Sequence, residues 1–247
     1  MIAQRDLNNI ESLTKEYWLE QVNQESFRSI FSGKEIGHRI ADYVDDRTTE
    51  LLAKNLNTKK ELHKTGKVKA RSMGDIWVKS NNVLNPLNVK AGEAGKNGQP
   101  NLVALNKILD FLLNDRIDSY YLLIVKMKVK GKSIIEEFTE DLLAKSEIEP
   151  KVYLVDMLDH LEHVAFDSGP GQLMLKEKQF YLAMEKNTSS YEEQLAQKIE
   201  RLVDLREDGD RRLIENRERT LHAMRKKAAT YRKKVHHEIN QKELNFG

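Results

Sequence analysis

The chain has 247 residues, of which 32% are charged, a formal net charge of +2 and no cysteine. This length allows one large domain, or one domain with an appendage, without disulfide staples. The lack of cysteine excludes disulfides, cysteine-based zinc sites and a cysteine nucleophile. No apolar run approaches the ~18 residues of a membrane span, and the N-terminus does not resemble a signal peptide. We therefore expect a cytoplasmic protein with no membrane partner.

The charged residues are distributed unevenly along the chain. Residues 1–58 carry a net charge of −3, whereas residues 59–96 carry +6. Residues 221–234 contain six lysines and arginines and no acidic residue. Two concentrated basic stretches in a nearly neutral chain favour a polyanionic partner such as nucleic acid. The alternative interpretation is an exposed, lysine-rich surface that serves only solubility.

Both ends of the chain have helical periodicity. Apolar residues recur at helical spacing over residues 7–22 and 36–51, with Ser32-Gly33 between the two stretches. The spacing is helical again from about Ser189 to Leu244. Within this last segment, Asp208-Gly209-Asp210 predicts a kink or a break.

The middle of the chain favours β-structure. Residues 75–79 and 83–91 flank the turn-forming run Ser80-Asn81-Asn82 and predict a hairpin, although Pro86 removes one ladder donor. Residues 119–127 are apolar enough for a central strand of a sheet.

The remaining segments complete the predicted architecture. Apolar spacing over residues 102–112 predicts a helix, and residues 152–156 and 172–176 predict two further strands. The predicted fold class is α/β (α+β), with a central mixed sheet that contains the hairpin, flanking helices and long C-terminal helices. We divide the chain into a core domain, residues 1–188, and a C-terminal helical segment, residues 189–247, for dimerisation or DNA contact.

The hairpin carries the residues that could bind a metal ion or take part in a reaction. Asp75 opens its first strand, and Asn88 and Lys90 are two residues apart on its second strand, so their side chains share a face. Paired strands lie ~5 Å apart, so Asp75 is expected near both residues. Asp75, Asn88 and the Val89 carbonyl would ligate Mg²⁺, which prefers oxygen. Lys90 would orient a water for phosphodiester hydrolysis and offset the developing negative charge.

Three runs in this region resemble a known family: Gly74-Asp-Ile-Trp-Val78, Asn88-Val-Lys90 and Gln99-Pro-Asn-Leu-Val103. They are similar to the catalytic core of type II restriction endonucleases of the PD-(D/E)XK superfamily, and most similar to its blunt-cutting HincII/HpaI/SwaI group. The resemblance extends over residues 35–180 or so. It implies a Mg²⁺-dependent homodimer that cuts a short palindromic site in double-stranded DNA and leaves 5′-phosphate and 3′-hydroxyl ends.

One position departs from the family pattern, which has an acidic residue where this chain has Asn88. Three explanations are open: the Asn88 amide oxygen still binds metal, another carboxylate such as Glu93 or Glu35 compensates, or the site is inactivated. Glu35 also resembles the N-terminal helix glutamate of such nucleases, and it is a candidate catalytic residue. The alternative interpretation is that Glu35 has no catalytic role and is a solvated residue whose negative charge the helix dipole favours at the start of the helix.

Position along the chain also predicts DNA contacts. Asparagine and glutamine can bind adenine edges, whereas lysine and arginine serve phosphate or guanine. The predicted contacts, in chain order, are Lys64, Lys67, Lys69, Arg71, Lys96, Asn97, Gln99, Asn101, Gln172 and Lys176. Any polar loop can have this composition. Two other hypotheses are open: Asn88 favours a non-catalytic DNA-binding protein on a nuclease scaffold, and the helical C-terminal segment favours a helical interaction protein built on residues 189–244.

His160 and His163 lack a convincing third metal ligand, and we interpret them as surface histidines.

Overall fold

The computed structural model describes residues 1–29, 36–56, 73–91, 101–114, 117–134, 139–186 and 195–244. The helices are α1 (Gln4–Gln21), α2 (Glu25–Ser29), α3 (Ile36–Asn55), α4 (Leu105–Leu113), α5 (Glu140–Lys145), α6 (Glu177–Glu185) and α7 (Leu195–Leu244). The strands are β1 (Ile76–Ser80), β2 (Val83–Ala91), β3 (Asn101–Ala104), β4 (Tyr121–Val129), β5 (Ile148–Asp156), β6 (Val164–Asp167) and β7 (Gln172–Leu175). Two short 3₁₀ turns, Met157–Asp159 and Leu161–His163, join β5 to β6.

The predicted mixed sheet is confirmed. Its strand order is β1-β2-β4-β5, with β2 and β4 parallel and the other two pairs antiparallel. The hairpin turns at Asn81 and Asn82, whose φ angles of 49° and 63° are those of the two-residue turns that suit a twisted ribbon. Pro86 lies just before Leu87, the first residue of β2 that pairs with β4, so its missing donor leaves that ladder intact.

The connection from β2 to β4 differs from the prediction in one respect. The sequence pattern predicts Leu102 in a helix, but it lies in β3, and the helix begins only at Leu105. The reason is long-range pairing: β3 pairs with β7, and β7 with β6, in a second, antiparallel sheet. Such tertiary pairing outweighs a local helical pattern. Helix α4 then buries Leu105, Ile108 and Leu112 against the core.

Strand β4 forms the centre of the molecule, as its apolar sequence predicts. Its residues alternate between the two faces of the mixed sheet. On one face, Leu123 and Val125 pack in clusters with residues of α1 and α3. On the other face, Leu122 and Ile124 pack with α4, the second sheet and α6. The mixed sheet is therefore covered on both faces.

Helix α7 is continuous through residues 208–210, so the predicted break is wrong. Gly209 is buried, and a Cβ at this position would lie 2.6 Å from Cδ1 of Phe166 and 2.9 Å from its carbonyl oxygen. The glycine therefore permits close helix–strand contact and does not interrupt the helix. Leu202 is fully buried in the core, whereas residues 214–233 are exposed. The first turns of α7 thus belong to the core, and the remainder projects from it. None of the described helices is long and apolar enough to cross a membrane.

Candidate active site

Asp75 lies against β2 at the base of the hairpin. Its carboxylate accepts a hydrogen bond from the Val89 N–H at 2.8 Å. The preceding residue allows this approach, because a Cβ on Gly74 would lie 2.8 Å from both the nitrogen and the oxygen of Leu87. Only glycine fits so close to the backbone of the neighbouring strand. The local sequence Gly-Asp therefore places a carboxylate directly beside the strand that bears Asn88 and Lys90.

A second carboxylate, from Asp45 of α3, meets the same strand. It accepts a hydrogen bond from the Ala91 N–H. Val89 and Ala91 are alternate residues, so their N–H groups point to the same edge of β2, where β1 has ended. Asp75 and Asp45 thus cap this edge on either side of Lys90. Asp45 is not among the site residues that the sequence pattern predicts.

Asn88 is buried on the face of β2 that packs toward α4 and β3. Its Nδ2 donates to the Tyr120 hydroxyl at 2.6 Å and to the Leu102 carbonyl at 3.3 Å. Its Oδ1 is buried and has no hydrogen-bond partner within the described part of the chain. A buried acceptor without a partner costs about 1–3 kcal/mol. The amide oxygen is therefore a donor atom that a bound cation would satisfy.

Lys90 shares the face of Asn88, since the two residues are two positions apart. Its side chain is half-buried. No hydrogen bond or ion pair joins its ammonium group to any residue that the structure describes. Its charge nevertheless lowers the pKa of Asp45, so it lies within electrostatic range of that carboxyl. The ammonium group is therefore available for a substrate or a water.

Asp45 has an unusual protonation equilibrium. Burial raises its pKa to about 7, the Lys90 ammonium and the Ala91 N–H oppose this rise, and the carboxylates of Asp75 and Asp42 add to it. Concentrated negative charge in a partly dehydrated site disfavours ionisation. A divalent cation would reverse that balance, because it favours the deprotonated carboxylate.

Replacing Asp45 with asparagine is expected to stabilise the metal-free protein at pH 8 by about 4 kcal/mol. Because the folded-state pKa is raised from 3.8 to about 7, the contribution of this carboxyl to stability is complete below pH 4 and is lost as the pH rises through 7. Asparagine cannot ionise but keeps an oxygen for the Ala91 N–H. Urea unfolding of both proteins should show similar stabilities at pH 4 and a widening gap toward pH 8; equal stabilities at pH 8 would contradict the assignment.

The donor atoms at this edge of the sheet fit a hard cation. The N–H and C=O of one residue point to the same side of a strand, so the Val89 carbonyl lies on the edge that faces Asp75. The edge therefore offers the carboxylates of Asp75 and Asp45 and this carbonyl, and the unpartnered amide oxygen of Asn88 lies on the adjacent face of β2. Neither carboxylate has an ion-pair partner among the residues with described positions. Oxygen donors with uncompensated negative charge suit Mg²⁺.

The predicted DNA-contact residues of the second sheet lie together. Asn101 is exposed on β3 and pairs with Met174 of β7, and Gln172 pairs with Ala104. The Gln172 Oε1 is buried and has no partner in the described part of the chain. Lys176 donates to the Glu162 carbonyl at 3.1 Å. The other predicted site residues lie outside the described residues: Glu35, Lys64, Lys67, Lys69, Arg71, Lys96, Asn97 and Gln99.

The arrangement defines a class of site: two carboxylates, a lysine and an asparagine at the end of a β-hairpin within a mixed sheet. No family model matches the chain, and a search of the curated proteins finds no significant match. The function of the chain is therefore inferred from the chemistry of these residues.

Proposed function

We propose that the protein is a Mg²⁺-dependent, sequence-specific double-stranded DNA endonuclease of the type II restriction class. The observation that carries this proposal is the pair of carboxylates, Asp75 and Asp45, that accept hydrogen bonds from alternate residues of β2 around Lys90. Phosphodiester hydrolysis needs a cation at the phosphate and a positioned water. The resemblance of the hairpin to restriction endonucleases supports the same reaction, with 5′-phosphate and 3′-hydroxyl products.

Each residue has a role in the proposed reaction. Asp75, Asp45, the Val89 carbonyl and Asn88 would hold Mg²⁺, which when bound supplies positive charge to a phosphate oxygen and lowers the pKa of a coordinated water. The Lys90 ammonium group orients the attacking water and offsets the negative charge that develops on the phosphate. The Tyr120 hydroxyl, at 2.6 Å from Nδ2 of Asn88, keeps that side chain oriented.

Asp45 can explain why this chain has an amide at position 88, where the family pattern has an acidic residue. The family pattern requires a second carboxylate at that position, and this chain has an amide instead. In the proposed site, Asp45 supplies the missing negative charge from α3. This favours compensation by another carboxylate over inactivation. Glu93 and Glu35, the two candidates from the sequence, lie outside the described residues.

The exposed part of α7 provides a surface for DNA. Residues 211–233 contain nine arginines and lysines and two glutamates, a net charge of +7. Residues 214–233 are all exposed. The whole helix has 50 residues, so its length is about 75 Å. A long, exposed, strongly basic helix supports contact with a phosphate backbone.

Replacing Arg225, Lys226 and Lys227 together with glutamine is expected to weaken DNA binding and flatten its salt dependence. Each phosphate interaction that the substitutions remove should reduce the slope of log K against log salt concentration by about 0.9. The matched control replaces Lys15, Lys54 and Lys178, which are exposed on other helices, with glutamine. Fluorescence anisotropy of a labelled duplex at several salt concentrations measures both slopes. Equal slopes for the two triple variants would exclude this helix from the DNA interface.

The same helix supports the proposed homodimer. The large exposed apolar residues in the described part of this helix beyond Gly209 are Ile214, Leu221, Met224 and Tyr231, which are 57%, 53%, 62% and 68% exposed. Their steps of seven, three and seven residues match the a and d positions of a heptad repeat. A second copy of the chain that packs along this stripe would remove it from water and place two hairpin sites on one duplex.

Digestion of plasmid DNA with and without Mg²⁺ tests the proposed function. Discrete fragments that require Mg²⁺ are expected. The rival hypothesis, a non-catalytic DNA-binding protein, draws on the amide at Asn88 and predicts binding without strand scission at any Mg²⁺ or Mn²⁺ concentration. The Asn88→Asp variant separates the two: if it cleaves DNA and the parent chain only binds it, the rival is correct.

A further inference from the structure

We propose that His160, Glu162 and His163 form a binding site for a transition-metal ion of the zinc class. The three residues lie in and beside the 3₁₀ turn Leu161–His163, which leads into β6. One donor atom from each lies within 4.8 Å of the other two. This group shares no residue with the hairpin site, so the inference does not depend on the proposed nuclease activity.

The distances within the group suit zinc coordination. His163 Nε2 and Glu162 Oε1 are 3.3 Å apart. Two ligands at 2.0–2.1 Å from a tetrahedral zinc ion are separated by about 3.4 Å. The Glu162 side chain is 41% exposed, and that of His163 is 16% exposed. An ion can therefore enter from solvent and retain a water as a further ligand.

His160 gives independent support. It is only 8% exposed, and its Nδ1 is buried with no hydrogen-bond partner in the described part of the chain. An imidazole nitrogen that lacks a hydrogen-bond partner can bind a metal ion. An ion pair between Glu162 and His163 would explain those two residues, but it would leave the buried nitrogen of His160 without a partner.

The surrounding structure fixes the two imidazoles. The Phe180 ring of α6 packs edge-on against both, with centroid distances of 5.8 Å to His160 and 6.1 Å to His163. The Lys176 N–H donates to the His163 carbonyl at 2.7 Å, and its ammonium group donates to the Glu162 carbonyl. The backbone and both imidazole rings are thus held before any ion arrives, which reduces the entropy cost of binding.

The donor set indicates which ions bind. Imidazole nitrogen suits Zn²⁺, Ni²⁺, Cu²⁺ and Fe²⁺, whereas Mg²⁺ prefers oxygen ligands. Two histidines and one carboxylate form a known type of zinc site that keeps a position for water. The chain would therefore carry two chemically different metal sites, one with oxygen donors at the hairpin and one with mainly nitrogen donors at this turn.

Calorimetric titration of the chelator-stripped full chain with ZnCl₂ tests the site. One saturable ion is expected in this site, and Glu162→Gln and His163→Ala should each weaken its binding by at least about 10-fold. Both residues are partly exposed, so these variants should fold, and circular dichroism checks that they do. His222→Ala, which changes an exposed histidine of α7, is the matched control and should keep the wild-type affinity. No saturable binding, or equal affinity in all four proteins, would overturn the proposal.

Discussion

Replacing Lys90 with alanine is expected to lower the rate of Mg²⁺-dependent DNA cleavage by about 10²–10³-fold. The ammonium group is half-buried and has no ion-pair partner among the described residues, so in the proposed reaction it serves the water and the phosphate. The metal donors, Asp75 and Asp45, would be unchanged in this variant. Single-turnover cleavage of a supercoiled plasmid at saturating Mg²⁺ measures the effect on the chemical step.

Lys79→Ala is the matched control for this experiment. Lys79 is an exposed lysine on β1 of the same hairpin, so its loss removes the same charge from the same element. It should cleave DNA within a few-fold of the wild-type rate. Cleavage by Lys90→Ala as fast as by Lys79→Ala would remove Lys90 from the mechanism.

Replacing Glu177 with glutamine is expected to destabilise the protein by about 3–5 kcal/mol. Glu177 of α6 binds the ammonium group of Lys126 on β4 at 2.9 Å, and their side chains are only 7% and 2% exposed. The Tyr181 ring also packs 5.3 Å from this ammonium group. Glutamine keeps the shape of glutamate but removes the negative charge beside this buried ammonium group. Urea unfolding at pH 7 measures the change in the free energy of unfolding.

Glu147→Gln is the control for the buried pair. Glu147 pairs with Lys130 at 3.0 Å, close to the distance in the buried pair, but both side chains are more than half exposed. Such exposed pairs contribute 0–1 kcal/mol, so this variant should change stability little. If Glu177→Gln were no more destabilising than Glu147→Gln, the buried pair would not stabilise the fold in the way that its burial indicates.

The main elements of the fold could be predicted because their signals are local. The apolar run of β4 and the Ser80-Asn81-Asn82 turn can each be recognised within a stretch of fewer than ten residues. The continuity of α7 could not be predicted, because the role of Gly209 depends on Phe166, a residue of another element. Likewise, Leu102 joins β3 only because β7 lies beside it.

Only part of the candidate site could be predicted, because only some of its residues are close together in the sequence. Asp75, Asn88 and Lys90 follow from strand alternation within one hairpin. Asp45 lies 46 residues from Ala91, the residue that it binds, so no local spacing connects them. One signal was present in the sequence: this acidic residue adjoins Val44, on the apolar stripe of a predicted helix. A carboxylate at the border of a buried stripe is more costly than one on the exposed face, and is a reason to suspect function.

The histidine group illustrates a third case. The sequence predicts His160 and His163 to be surface residues, because it offers no convincing third metal ligand. For His160 this is wrong, since it is only 8% exposed. In a 3₁₀ helix, however, residues i and i+3 lie in line along the axis. The 3₁₀ turns Met157–Asp159 and Leu161–His163 flank His160, and its ring stacks against that of His163 at an angle of 22°. The local backbone, which the sequence pattern did not reveal, creates the candidate metal site.

The proposed function requires that Asp75 belongs to a metal-dependent centre that hydrolyses DNA. Its most direct test is a Mg²⁺ titration of plasmid cleavage by the wild-type chain and by Asp75→Asn, which keeps an oxygen for the Val89 N–H. We predict discrete fragments from the wild-type chain that saturate with Mg²⁺, and a loss of cleavage of about 10²-fold or more in the variant. Equal rates for the two proteins across the titration would contradict the claim.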